Sequence, residues 1–206
     1  MSLDFIYFDV GGVAIKDMSG TNKWDEILDE IGVDGDKKSN FNNLYTIYEH
    51  ELNVGKDMDT LIPIFEEKFN IKFSDNYSWL DAIVNRFERN DGIWPIINEV
   101  KKRYKIGLLT NMYPNMLNKI ADRKIIDLDI FDVIIDSSIV KAEKPTPEIY
   151  KIAEEKSDMR PDQLIFIDNI LKNVEGAKNH GWQGTFFDVK DYEASNEKIR
   201  NLLLEK

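Results

Sequence analysis

Asp9, Thr110, Asn111, Lys144 and Asp168 are scattered through a chain of 206 residues, yet four of them stand just past a short apolar run and Lys144 lies in a loop beyond another. Together they hold the parts needed to move a phosphoryl group. Two carboxylates, Asp9 and Asp168, with a backbone carbonyl and waters, suit octahedral Mg²⁺, which prefers hard oxygen ligands. A carboxylate can also attack phosphorus and carry the group covalently, a role open to Asp9. The Thr110 hydroxyl, the Asn111 backbone amide and the Lys144 ammonium would hold the equatorial oxygens, whose charge must be compensated during transfer. Taken singly, each has a plainer reading: an Asp after a strand caps a turn, Thr110 caps a helix, and Lys144 before Pro145 is a solvated loop charge. Their convergence is what would make a site.

That convergence depends on the elements carrying them. Residues 3–8 form an apolar run ending at Asp9 and the turn pair Gly11-Gly12. Comparable runs are 105–109 before Thr110-Asn111, 131–135 before Asp136-Ser137 and 164–167 before Asp168-Asn169, with a weaker one at 184–187. Helical periodicity fills 93–104, with Pro95 near its first turn, then 114–124, 147–156 and 173–180, the last closed by Gly181. Strands alternating with helices predict βαβ units, a parallel sheet and ligands beyond the carboxyl ends of its strands. Residues 16–90 break the rhythm. Trp24, Ile27, Leu28 and Ile31, then Leu61, Ile64 and Phe65, are at helical spacing with no buried-strand run. The expected fold is therefore α/β, a Rossmann-like parallel sheet core (1–15 and 91–206) with an inserted α-helical cap (16–90). The insertion is either a lid over the site or simply a second helical subdomain.

Composition bounds the partners. With 42% hydrophobic and 32% charged residues the chain is in the globular range. Its 27 Lys+Arg against 38 Asp+Glu give a net charge of -11, a field that repels nucleic acid and anionic membrane surfaces. A small phosphorylated substrate would be repelled too, unless Mg²⁺ and Lys144 reverse the sign locally. Cysteine is absent, which excludes thiolate chemistry and disulfides and fits a reducing compartment. With no cationic leader-like segment and no apolar run of about 18 residues, a cytoplasmic location without membrane association is expected. Nothing in the pattern specifies an oligomeric state.

Four motifs in order resemble those of haloacid dehalogenase-like hydrolases with a helical cap: Phe8-Asp9-Val10-Gly11-Gly12-Val13, Leu108-Leu109-Thr110-Asn111, Lys144-Pro145-Thr146-Pro147-Glu148-Ile149-Tyr150, and Phe166-Ile167-Asp168-Asn169 followed by Asn173-Val174-Glu175-Gly176-Ala177. The resemblance implies a Mg²⁺-dependent phosphohydrolase with Asp9 as nucleophile. Asp9, the Gly11 carbonyl and Asp168 would hold the metal, and Thr110 and Lys144 the phosphate. Asn169 and Asn173 would lie beside them. Two departures follow from the same resemblance. Phosphatases of this family usually place a second Asp two residues after the nucleophile, where it protonates the leaving oxygen and later activates water; here that position is Gly11. Loss of a positioned acid/base costs roughly 10²- to 10⁴-fold, so substrates with good leaving groups, such as sugar 1-phosphates or aryl phosphates, are expected, and the phosphoenzyme should be slow to hydrolyse. Asn169 stands where many relatives have another Asp, which should weaken Mg²⁺ binding. The alternatives are an inactive or weakly active relative that binds a ligand or protein, a 2-haloacid dehalogenase working without Mg²⁺, a phosphomutase, and a receiver-like phosphoacceptor.

Other chemically capable residues have ordinary explanations. His50 and His180 lack a second ligand at metal-binding spacing and read as surface or helix-end residues. Tyr45, Tyr48, Trp79 and Phe87 read as core before pocket, and Arg86 and Arg89 are candidate substrate clamps on the same footing.

Overall fold

The apolar runs become strands because each can be buried on both faces. A computed structural model describes residues 3–205. In chain order the elements are β1 (Phe5–Phe8), β2 (Ile15–Lys16), α1 (Lys23–Glu30), α2 (Lys37–Asn53), α3 (Ile62–Phe69), α4 (Trp79–Val84), β3 (Glu88–Arg89), α5 (Trp94–Lys101) and β4 (Lys105–Thr110). There follow α6 (Met116–Asp122), β5 (Val133–Asp136), α7 (Ser137–Val140), α8 (Pro147–Ser157), β6 (Leu164–Asp168), α9 (Leu171–Asn179), β7 (Gln183–Phe186) and α10 (Tyr192–Leu204). Five strands form one sheet in the order β5-β4-β1-β6-β7, every neighbouring pair parallel.

Alternation along the strands divides the core into two layers. Ile6, Phe8, Ile106, Leu108, Ile165 and Ile167 face one side, together with Ile97 of α5, Ile120 of α6 and Ile199 of α10. Phe5, Tyr7, Leu109 and Phe166 face the other, against Ile149, Tyr150 and Ala153 of α8 and Ala177 of α9. Helices on both faces of a parallel sheet explain why these strands read as continuous apolar runs rather than as alternating ones. β1 is central, with β4 on one side and β6 on the other. The crevice beyond the carboxyl ends of such neighbouring strands is where open α/β sheets bind ligands.

Between β2 and β3 lie α1 to α4. The two short strands pair antiparallel, Ile15 opposite Arg89 and Lys16 opposite Glu88, so the insertion leaves and rejoins the core at one place. Its interior is aromatic: Phe41 and Phe65 stack with centroids 4.3 Å apart, and fully buried Trp79 meets Phe65 edge-on at 5.0 Å. The insertion is packed into the same apolar cluster as one face of the sheet.

Three local features differ from the sequence expectation. β2 and β3 are too short for any periodicity to announce. α7 spans a single turn, and α10 hides its buried Ser195, Ile199 and Leu203 in a polar stretch. The run 131–135 contributes a strand only from Val133, because the Asp132 carboxylate instead accepts from the Ile106 amide at 2.9 Å and pairs with Lys101 at 2.7 Å. Among the described residues no helix is long and apolar enough to cross a membrane.

Candidate active site

The strand ends bring the sequence-distant residues together. Asp9 continues β1, its amide donating to the Ile167 carbonyl at 2.9 Å, and its Oδ1 accepts from the Val10 amide at 2.8 Å. Asp168 closes β6. Its Oδ1 accepts from the Ile170 amide at 2.6 Å and its Oδ2 from Asn173 Nδ2 at 3.1 Å. Lys144 Nζ lies between the two carboxylates, 2.9 Å from Asp9 Oδ1 and 2.7 Å from Asp168 Oδ2. Asp9, Lys144 and Asp168 are 6%, 3% and 0% exposed.

Burial dominates the electrostatics. It pushes the Asp9 carboxyl up to about 7, against the pull of Lys144. It also works against a charged Lys144, but Asp168 and Asp9 outweigh it and hold the ammonium above its ordinary value. With one ammonium between two carboxylates, ionising both leaves a buried excess of negative charge, which a cation would balance. Asp9 and Asp168 offer hard oxygen donors of the kind Mg²⁺ prefers, and two carboxylates supplemented by carbonyl and water would suit an ion that dehydrates reluctantly.

Thr110 closes β4 at 1% exposure, and its Oγ1 has no hydrogen-bond partner among the described residues. A buried hydroxyl without a partner is rare and calls for an explanation; here a bound oxyanion would supply one. The Asn111 side chain does a different job from the one expected of its backbone amide. Nδ2 donates to the Lys144 carbonyl at 3.1 Å, and Oδ1 accepts from the Lys144 amide at 2.8 Å, clamping the loop that presents the ammonium. Asn173 is fixed on Asp168, while the Tyr150 hydroxyl donates to its carbonyl at 2.7 Å. Asn169 packs against Gly12, whose φ of +73° and lack of a Cβ let the turn pass beneath that side chain. Gly11 lies against Asp17: a Cβ on Gly11 would be 2.6 Å from Asp17 Oδ2.

These groups open into a cavity of about 540 Å³. Asp9, Gly11, Thr110, Asn111, Lys144, Asn169 and Asn173 all line it. Trp24, Tyr45, Phe87, Tyr113 and Met116 form much of its apolar wall, and the Tyr45 and Tyr113 hydroxyls are hydrogen-bonded to each other. Asp17 also lines it, with burial pushing its carboxyl up despite a bond from the Ser19 amide at 2.8 Å. Sequence reasoning passed over Asp17 because only the fold sets it beside Gly11. His50, read as a surface residue, is largely exposed but also lines the cavity, its Nδ1 2.6 Å from Glu143 Oε1. Asn53 Nδ2 donates to Glu143 Oε2 at 2.7 Å.

Other candidates lie elsewhere. Trp79 is in the core of the insertion, and Tyr48 is partly buried with Lys56 Nζ 4.7 Å from its ring centroid. Arg86 is bonded to Glu30 and to the Ala82 carbonyl, and Arg89 lies 4.0 Å from the centre of the Trp94 ring; neither lines the cavity, so neither is placed to clamp a substrate there. His180 pairs with Glu154 at 3.2 Å, also outside it.

A family model described as haloacid dehalogenase-like hydrolase matches residues 3–181. Phosphatase MT3486 of Mycobacterium tuberculosis is 30% identical over 99 residues, covering 46% of this chain and 44% of that protein. The chain spans less than half the length of the curated relatives it matches. In three dimensions it is similar to a predicted HAD-like family hydrolase from Porphyromonas gingivalis, with a TM-score of 0.79, 23% identity and 100% of both chains covered. It is also similar to a HAD family enzyme from Bacteroides thetaiotaomicron solved in complex with magnesium and inorganic phosphate, with a TM-score of 0.74, 17% identity, and coverage of 94% of this chain and 98% of that one.

Proposed function

The chain belongs to the haloacid dehalogenase-like hydrolase family, and from that premise we propose that it is a Mg²⁺-dependent phosphomonoesterase that hydrolyses a small phosphorylated metabolite through a phosphoryl group carried on Asp9. The observation that carries this reading is the buried Lys144 ammonium shared by Asp9 and Asp168 next to the unpartnered Thr110 hydroxyl. The phosphatase name of its Mycobacterium tuberculosis relative supports the same class of reaction.

Each group has a task that its position suits. Asp9 attacks phosphorus, and water then releases the group as inorganic phosphate. Lys144 and the Thr110 hydroxyl hold the phosphoryl oxygens, while Asn111 keeps the Lys144 loop in register. Asn173 and the Ile170 amide fix the Asp168 carboxylate. Mg²⁺, held by Asp9, Asp168 and the Gly11 carbonyl, would neutralise phosphate charge when bound. The helical insertion acts as a cap that excludes bulk water from the cavity. Its Trp24 and Tyr45 rings offer flat apolar faces suited to a ring-bearing substrate, which favours sugar 1-phosphates and aryl phosphates as the first probes.

The test is phosphate release from a panel containing both probes, with Mg²⁺ and after chelation, beside Asp9→Asn. Release should require Mg²⁺ and fall by roughly 10³-fold or more in the variant, as expected when the nucleophile of a concerted set is removed. A wild-type protein as silent as the variant on every ester, at saturating Mg²⁺, would sink the proposal.

A further inference from the structure

A phosphoester whose alcohol is a poor leaving group needs a proton delivered to the departing oxygen, and the later attack of water needs that proton taken back. Glycine at position 11 supplies neither. The space beside it is nevertheless filled, because the chain doubles back after β1. The Ala14 amide donates to the Asp9 carbonyl at 3.4 Å and the Ile15 amide to the Val10 carbonyl at 3.0 Å, and Asp17, just past β2, lies against Gly11 of that loop. Asp17 Oδ1 accepts from the Ser19 amide, and Oδ2 is the oxygen that a Cβ on Gly11 would meet at 2.6 Å.

The other carboxylates of the cavity are committed or remote from that loop. Asp9 shares Lys144 with Asp168, which is fully buried and does not line the cavity. Glu143 is engaged by His50 and Asn53, and Glu49 belongs to α2 in the insertion. Asp17 has no salt-bridge partner among the described residues, lines the same cavity as Asp9 and stands at the edge of the nucleophile's loop.

We propose that Asp17 is the proton-transfer carboxyl of this site, reaching from beyond β2 into the volume that Gly11 leaves open. The inference rests on the phosphomonoesterase reading. In the first half-reaction the bond from Asp9 to phosphorus forms as the bond from phosphorus to the ester oxygen breaks, and the Asp17 proton passes to that oxygen to give a neutral alcohol. In the second, water attacks the phosphoryl group and gives one proton to the Asp17 carboxylate. The Asp9–phosphorus bond breaks, leaving inorganic phosphate, a free Asp9 carboxylate and a reprotonated Asp17. The expectation that only good leaving groups are accepted came from Gly11 alone; with Asp17 in this role, simple alkyl phosphates also turn over.

The test compares wild type with Asp17→Asn, which keeps an acceptor for the Ser19 amide, and with Asp17→Ser as a second folded alternative. Three esters of decreasing leaving-group ability are used: para-nitrophenyl phosphate, phenyl phosphate and glycerol phosphate. For the Asn variant, kcat/KM on glycerol phosphate should fall by about 10²- to 10⁴-fold and on para-nitrophenyl phosphate by less than about tenfold, the pattern of a lost general acid. Inhibition by inorganic phosphate should be unchanged, and para-nitrophenol should be released in a burst as phosphorylated Asp9 accumulates. A kcat/KM loss equal for all three esters, or no loss, overturns the role while leaving the phosphomonoesterase reading intact. A wild type inactive on all three, in the presence of Mg²⁺, overturns both.

Discussion

Thr110 and Lys144 show how burial assigns work to single residues. The ammonium is held by two carboxylates and keeps its charge, so it is ready for an anion without spending binding energy on ionisation. The Thr110 hydroxyl is buried and unpartnered among the described residues, a state that costs the free protein and that a bound oxyanion would relieve. Thr110→Val should therefore leave thermal stability unchanged or raise it slightly. Phosphate affinity should weaken by roughly 10- to 100-fold, the equivalent of one hydrogen bond to a charged group. Calorimetric titration with inorganic phosphate beside a melting curve checks both; a variant that melts much lower yet binds phosphate normally would contradict this assignment. Asp9, Thr110 and Asp168 were legible in the sequence because each ends an apolar run, and Lys144 because it opens a motif. Asp17 was not, because its neighbour Gly11 is a spatial relation across a turn.

At the scale of elements, strand ends set the floor of the cavity and α2 closes part of its rim. The carboxy-terminal turn of α2 is tied to the core at several points. His50 and Asn53 bond Glu143, and the Ser137 hydroxyl donates to the Asn53 carbonyl at 2.6 Å. Glu143 immediately precedes Lys144, so the same loop that presents the ammonium anchors the insertion. Glu143→Ala should loosen this contact. Hydrogen exchange at the last turn of α2 should accelerate, and substrate KM should rise several-fold, with the buried Asn53 amide left without its acceptor at a cost of about 1–3 kcal/mol. Unchanged exchange in that turn would show that the apolar contacts alone hold α2 in place. The sequence pointed to a helical insertion through its spacing of Trp24, Ile27, Leu28 and Ile31. It did not give these ties, which join residues remote in the chain.

Across the whole molecule, one apolar cluster runs from Ile6, Phe8 and Ile167 in the sheet to Phe41, Phe65 and Trp79 in the insertion. A shared core implies a shared transition. Urea unfolding followed by tryptophan fluorescence, with reporters at Trp24 and Trp79 in the insertion and Trp94 and Trp182 in the core, should coincide with unfolding followed by far-ultraviolet circular dichroism. Two separated midpoints would show that the insertion folds on its own. The net charge of -11 acts at this scale too: it opposes the approach of any phosphate, and the local excess of negative charge at Asp9 and Asp168 makes a bound cation the natural counterweight.

The sequence by itself determined the five strands of the parallel sheet and most of the helices between them, since burial on both faces of such a sheet demands apolar runs and helices demand their own periodicity; β2, β3, α7 and α10 left no such signal. It also determined four of the residues that meet at the sheet edge, because chemistry at the carboxyl end of a strand leaves a polar residue where an apolar run stops. Only the tertiary structure decided which groups share a proton or a charge. The Lys144 bridge, the Asn111 clamp on its loop, the insertion's anchor at Glu143 and the Asp17 carboxylate beside Gly11 are contacts between segments distant in the chain or folded back across a turn. Such distances are fixed by packing, and no local pattern of residue types encodes them.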